Sequence, residues 1–431
     1  MEIIFGPIFP SILALLFFFL FAGAESRISD SWLQKSFYLF LVLQSICLFG
    51  GLSNSWFQWE LYQPEPLLSS LFYIGFLGWV LISRYQVETL PLDNILDKCQ
   101  VLVLGFLALA VDSSFLVFLV ACVYFLKDTW SLNNRGNESL GLGLLFCLSL
   151  LWFFSPQDSE VLYPSRLCSF VFLFFLSFRS FYLNVNDQRK KGFIDLWFHY
   201  VLGFLILINY SSQVFSKGFG LDLVKTNYMN LVFISLAALV ILLSLVIYRE
   251  KKAMVVLGAW IQLSFLIHLI DSRSLVFNEA NNYSLFIGSS FLGLFLMGWI
   301  LSRYIQNLST SIADLQIKLE KMHKLEFGFL VFGFILGGFL FFAPKWESFL
   351  TSPYYGQVLN AGFTSSILNQ QAGLILFLMI VQIFVMILVS NKLLPVKTVG
   401  DKSLVNYWAK KESFLLLSLL VLGFFAANLY K

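Results

Sequence analysis

Apolar residues run along this chain in long blocks separated by short polar breaks. A helix needs about 20 apolar residues to cross a bilayer. Fourteen blocks near that length lie around 3–23, 36–53, 66–83, 94–111, 113–127, 139–155, 167–184, 193–214, 228–248, 253–271, 283–302, 325–343 with an extension, 371–391 and 412–430. Residues 101–126 form one apolar run, broken only by VDSS at 111–114. A single span cannot absorb that run, so the pattern predicts a tight hairpin at Asp112-Ser113-Ser114 between the fourth and fifth spans.

One stretch departs from this pattern. In LSTSIADLQIKLEKMHK, residues 308–324, Ile312, Leu315, Leu319 and Met322 recur at helical spacing among charges. The spacing predicts a surface amphipathic helix, either a connector lying at the lipid headgroups or a docking element for a partner subunit. No internal repeat and no soluble domain stand out, and residues 1–431 read as a single membrane domain.

Composition agrees with the blocks. The chain is 58% hydrophobic and 12% charged, with mean hydropathy +0.80. A soluble chain of this length could not hide so much apolar surface, so the expectation is an all-α polytopic membrane protein.

The net charge of +3 says less than its arrangement. Short loops that are not translocated are rich in Lys and Arg. Loops after odd-numbered spans hold 21 basic residues, among them Arg84, Lys98, Lys127, Arg189, Arg249, Arg303 and Lys392; loops after even-numbered spans hold 4, namely Arg166, Lys217, Lys225 and Arg273. A span missed or invented midway would scramble that division. It therefore favours an even number of spans, with both termini on the outside or intermembrane face and the basic loops in the cytoplasm or matrix.

The first 21 residues, MEIIFGPIFPSILALLFFFLF, carry Glu2 where a secretory signal carries a basic residue. They read as an uncleaved first span with no presequence. The five cysteines (Cys47, Cys99, Cys122, Cys147 and Cys168) are odd in number and form neither a CxxC metal site nor a disulfide framework.

Ionisable residues inside spans cost about 2.5–3.5 kcal/mol each on insertion scales, so they point to function by default. Arg179, in FVFLFFLSFRSFYLNV, lies nine residues into its apolar run. It reads either as a snorkelling surface charge or as a buried one. His199, in GFIDLWFHYVLGFLILINY, reads as a hydrogen-bonded packing residue or as a proton relay, because imidazole titrates near neutral pH. His268, in SFLIHLIDSR, is interfacial beside Asp271 and Arg273. Lys345 follows Pro344, which cannot continue a helix. Either the span ends there and Lys345 is wet, or the helix breaks at membrane depth and resumes through 346–362, as in ion pathways. No HExxH, P-loop, GxSxG or paired-cysteine motif occurs, so any activity is transport or is borrowed from partners.

The order of these features resembles the antiporter-like membrane subunits of respiratory complex I, most nearly those of the subunit 2 (bacterial subunit N) type. VLVLGFLALAVDSSFLVFLVACVYFLKDTWSLNNRGNESLGLGLLF looks like the family's fourth to sixth helices. YREKKAMVVLGAWIQLSFLIHLI is similar to its basic pair and following helix, without that helix's Tyr-Ser-Ser-Ile, and FILGGFLFFAPKWESF resembles its broken helix. The resemblance covers nearly the whole chain and implies fourteen helices, some of them discontinuous.

Carried over residue by residue, the family's fifth-helix glutamate falls at or near Cys122, a neutral departure. Its seventh-helix lysine falls on Arg179, its eighth-helix lysine on His199, and its lysine in the broken twelfth helix on Lys345, which the resemblance places inside the membrane. Lysine can lose its proton when desolvated, whereas arginine effectively cannot. Arg179 would then bias its neighbours while His199 and Lys345 carry protons.

The resemblance thus implies a membrane-arm subunit of a proton-pumping NADH:ubiquinone oxidoreductase, contributing to or scaffolding proton translocation. The chain itself would hold no cofactor and do no redox chemistry; FMN, iron–sulfur clusters and quinone would belong to partner subunits. Its partners would be the other membrane-arm subunits and membrane lipids, with no nucleic acid. The alternatives are a subunit of a cation/proton antiporter or hydrogenase complex, or an unrelated multispan transporter. Fifty phenylalanines and the lack of a presequence favour the mitochondrial inner membrane over a bacterial one.

Overall fold

The computed structural model describes residues 9–23, 30–53, 66–86, 91–111, 113–127, 144, 146–150, 162–186, 192–216, 252–258, 280–305, 308, 310–322 and 324–338. Lys345, His268, the ninth, thirteenth and fourteenth blocks, and most of the tenth lie outside them. The described part is all-helical. Its main helices are α1 (Phe9–Gly23), α2 (Asp30–Ser53), α3 (Pro66–Gln86), α4 (Leu92–Ala110), α5 (Ser114–Leu126), α6 (Leu162–Asn186), α7 (Phe193–Ser216), α8 (Ala280–Leu301), α9 (Ile312–Glu320) and α10 (Lys324–Gly338). Among the described residues there is no β-strand, and an isolated antiparallel bridge joins Lys252 to Ser311.

The break expected between the fourth and fifth spans is present, with α4 ending at Ala110 and α5 starting at Ser114. Val111, just past α4, is extended. The two helices fold back on each other, so that Lys127, at the end of α5, pairs with Asp97, near the start of α4. By length and composition, one described helical stretch, Phe193–Tyr210 in α7, is apolar enough to cross a membrane, with mean hydropathy 1.5. Shorter apolar stretches lie in α1, α3, α5, α6 and α8.

Direction alternates consistently through the bundle. α3 and α4 run antiparallel, since Phe72 packs on Gly105 while Trp79 meets Lys98. α4 and α7 run parallel, through Lys98 to Asp195 and Ala108 to Asn209. α5 and α6 both run antiparallel to α7, through the pairs Tyr124–His199 and Phe118–Tyr210, and Phe181–Tyr200 and Ser169–Tyr210. α3 and α8 run parallel, with Gly75 beneath Phe291 and Gly78 beneath Phe295. α10 returns against α8, through Arg303–Glu326 and Met297–Gly333. If the apolar blocks are numbered in order, every one of these pairs is antiparallel when the numbers differ in parity and parallel when they agree.

Aromatic rings and glycines make the close crossings. Gly75, Gly78, Gly105, Gly203, Gly258 and Gly298 each lie under an aromatic ring of a neighbouring element. A missing Cβ lets the ring lie on the helix backbone, which brings the axes together and maximises dispersion contact.

The helices extend further than the apolar blocks. Lys35, Arg84 and Arg166 lie within α2, α3 and α6, where the loop count above placed them in connections, and Lys98, counted with the loops although inside the 94–111 block, lies within α4. Backbone hydrogen bonding does not stop at the edge of an apolar run, so flanking charged turns stay helical. For Lys35 and Arg84 this moves a charge by a turn. For Lys98 it changes the environment completely, because Lys98 is 1% exposed.

α9 lies within the amphipathic stretch but is shorter, nine residues. Ser311 caps it, its hydroxyl accepting the Asp314 backbone N–H at 3.0 Å. Leu315, Leu319 and Met322 are fully buried in the protein's own core, while Ile317 and Lys318 face outward.

Candidate functional site

α3, α4, α5 and α7 meet at one end of the bundle, and their charges meet there too. Asp195 sits in the first turn of α7, where the helix dipole favours a carboxylate. Its Oδ1 accepts from Lys98 Nζ of α4 at 3.0 Å and from Trp79 Nε1 of α3 at 2.9 Å. The Lys98 ammonium also lies 4.0 Å over the Trp79 ring, a cation–π contact that partly replaces lost hydration. The two partners differ in access: the Lys98 side chain is 2% exposed and that of Asp195 is 30% exposed. The next α4 residue toward the helix start, Asp97, takes the Lys127 ammonium from α5. Two ion pairs thus sit side by side, and in each the carboxylate is the more accessible member.

His199 follows Asp195 by four residues on α7, which puts the two side chains on one face one helical turn apart. His199 is 3% exposed. Its ring stacks on Tyr124 of α5 at 4.4 Å between centroids with a 5° interplanar angle. The Tyr124 hydroxyl reaches past it to donate to the His199 carbonyl at 2.8 Å. Asp195 and His199 therefore lie in series, from the end of the bundle toward its middle.

Arg179 lies on α6 and is half-buried, on the helix that runs antiparallel to α7. Cys122, where the resemblance puts a glutamate, is buried on α5. Arg179 and His199 thus sit on neighbouring helices, while Lys345 falls outside the described residues. Lys98 and Asp195 were not singled out from the sequence. A signal existed for Lys98: Ile95, Lys98 and Leu102 share one helical face, and Pro91 marks a helix start ahead of them. Nothing local marks its partner, 97 residues on.

A second charged cluster lies at the same end. Arg303, just past α8, pairs with the buried Glu326 of α10 at 2.8 Å and lies 5.0 Å from the Trp299 ring. The Tyr304 hydroxyl donates to the other Glu326 oxygen. Among the described residues, no three His, Cys, Asp or Glu side chains gather to hold a metal ion.

No model of a known protein family matches the chain, and no curated protein matches it.

Proposed function

We propose that this chain is an antiporter-like membrane subunit of a proton-translocating NADH:ubiquinone oxidoreductase, with fourteen spans and no redox centre of its own. The observation that carries the reading is the pairing of an apolar exterior with a charged interior. On α1 and α2, Phe19, Leu20, Leu39 and Ile46 are 61–72% exposed, and Leu16, Val42 and Trp32 are 46–57% exposed. Apolar stripes of that extent suit acyl chains. Meanwhile Lys98, His199 and Glu326 are buried. Ionisable groups in such a setting are expensive and mark ion or proton pathways.

In this reading the basic loops face the matrix or cytoplasm, and protons pass among Asp195, Lys98, His199 and Lys345, biased by the fixed charge of Arg179. The inner mitochondrial membrane is the proposed location. The experiment is native-gel separation of gently solubilised membranes, with staining for NADH dehydrogenase activity and mass spectrometry of each band. Migration of this chain with the staining high-mass band is the expected result. Migration alone, or with an unrelated set of proteins, would overturn the reading.

A further inference from the structure

We infer that the outer face of α1 and α2 is a phospholipid seat, with the acyl chains along the two helices and the phosphate at Lys35 and Trp32, and not a contact with a neighbouring subunit. The seat requires membrane residence alone and stands apart from the transport reading above.

Helical spacing builds the face. On α2, Trp32, Lys35, Leu39, Val42, Leu43 and Ile46 recur every three or four residues and are all exposed, so they form one stripe. On α1, Ile12, Leu13, Leu16, Phe19 and Leu20 form a second stripe beside it. Aromatic rings join the helices between the stripes. The ring centroids of Phe17 and Phe21 on α1 lie 5.9 and 6.0 Å from that of Trp32, and Phe17 lies 5.5 Å from Phe40. Phe17, Phe21 and Phe40 are half-buried and make an aromatic floor.

Two features decide what covers this face. The first is what it lacks. Helix contacts inside membranes use small residues and interhelical hydrogen bonds. Crossings within this bundle do so, with glycines under rings and with hydroxyl and amide pairs. The outer face offers neither. Its exposed residues from Ile12 to Leu20 and from Leu39 to Ile46 are Leu, Ile, Val and Phe. The polar residues nearby turn inward: Gln44 accepts from Ser11, and Ser45 donates to the Leu41 carbonyl and meets Tyr73. A neighbouring helix would find no small-residue groove and no hydrogen bond there, whereas acyl chains need only apolar area.

The second feature is a change of chemistry along the α2 stripe. Leu39 to Ile46 is apolar, Lys35 stands one turn before Leu39, and Trp32 stands one turn before Lys35. Tryptophan and lysine at the end of an apolar stripe mark the headgroup level. There the lysine stem lies on apolar surface while its ammonium reaches a phosphate. From Lys35 to Ile46 the stripe runs about 16 Å at the rise of a helix. That matches one leaflet, half of a hydrocarbon core about 30 Å thick. An acyl chain whose phosphate sits on Lys35 therefore stays on the face through its whole depth.

The test uses native membranes loaded with phosphatidylcholine that carries a photoreactive diazirine either near the glycerol or at the end of the acyl chain. After illumination, mass spectrometry maps the lipid adducts on this chain. The glycerol-proximal probe should label around Leu39 and Leu20, and the chain-end probe around Ile46 and Leu13. Lys35→Glu, which repels the phosphate, should lower the labelling at Leu39 several-fold and leave that at Leu116 and Val123 of α5 unchanged. Adducts at Leu116 and Val123 with none on α1 or α2 would overturn the seat in favour of a covering subunit. Labelling without this order of depth, or unchanged in Lys35→Glu, would overturn the phosphate at Lys35. None of these readouts depends on migration with NADH dehydrogenase, so failure of the seat and failure of the complex reading are separable.

Discussion

The two ends of the helical bundle are tied in different ways. At one end, Trp79, Lys98 and Asp195, then Asp97 and Lys127, then Arg303 and Glu326, join helices through charges. At the other end the ties are neutral. Ser11 donates to Gln44 at 2.6 Å, and Ser45 and Tyr73 share a hydrogen bond at 2.8 Å. Asn209 donates to the Ala108 carbonyl at 2.8 Å, and Tyr210 donates to Ser169 at 2.6 Å. Apolar packing is continuous between the ends, so packing does not distinguish them. The charged ties coincide with the side that the basic loops mark in the sequence. A proton route needs groups that change charge, and the charged end supplies them. Among the described residues, the neutral ties hold helices together through hydroxyl and amide groups and carry no acidic or basic side chain.

The largest effect expected from breaking this contrast is at Lys98. Lys98→Met leaves the part-exposed Asp195 carboxylate against Trp79 without its cation. Removing one partner of a fully buried pair costs about 3–5 kcal/mol, and the water that reaches Asp195 brings the expected loss below that range. The Lys98→Met/Asp195→Asn double variant removes both charges and should recover most of that loss. Thermal unfolding in nanodiscs, read as a double-mutant cycle, checks this. A single variant as stable as the parent would mean that Asp195 is hydrated and the end is not sealed.

Helical character was legible in the sequence and the Lys98–Asp195 pair was not, for one physical reason. Helical type, the 112–114 turn and the alternation of direction follow from local apolar periodicity and from charge in nearby loops. Those signals sit within a few dozen residues. The Lys98–Asp195 pair links α4 to α7 across 97 residues, and only packing brings the two together. Counting Lys98 as a loop charge was the natural error, since Asp93, Asp97 and Lys98 make the start of α4 look like a connection. His199 stood out because a histidine in an apolar run is conspicuous by itself. Its Tyr124 stacking partner was not legible, because that contact depends on which face of α7 turns inward.

Steric seats should act alike at both ends, and this sharpens the contrast as a control. Gly78, near the charged end, lies under Phe295, and Gly105, further along, lies under Phe72. A methyl at either position overlaps a ring, and the Phe72 ring is fully buried with little room to yield. Gly78→Ala and Gly105→Ala should each cost about 1–3 kcal/mol by overpacking. Neither loss should depend on salt or pH, in contrast to the Lys98 variants. A strong pH dependence for Gly78→Ala would show that α3 displacement opens the charged cluster.

The smallest effect belongs to the neutral end. Tyr210→Phe removes the hydroxyl that donates to Ser169 and leaves the ring packed on Phe118. A single neutral hydrogen bond contributes about 1 kcal/mol net, and interhelical bonds in membranes fall in the same range. The variant should therefore unfold slightly earlier, with unchanged His199 protonation. That second half matters more than the first. Tyr210 sits on the same helix as His199, eleven residues beyond it, so any proton path that ran straight along α7 would pass it. A Tyr210→Phe variant that folds but protonates His199 more slowly would place proton entry at the neutral end, and would reverse the assignment of roles to the two ends.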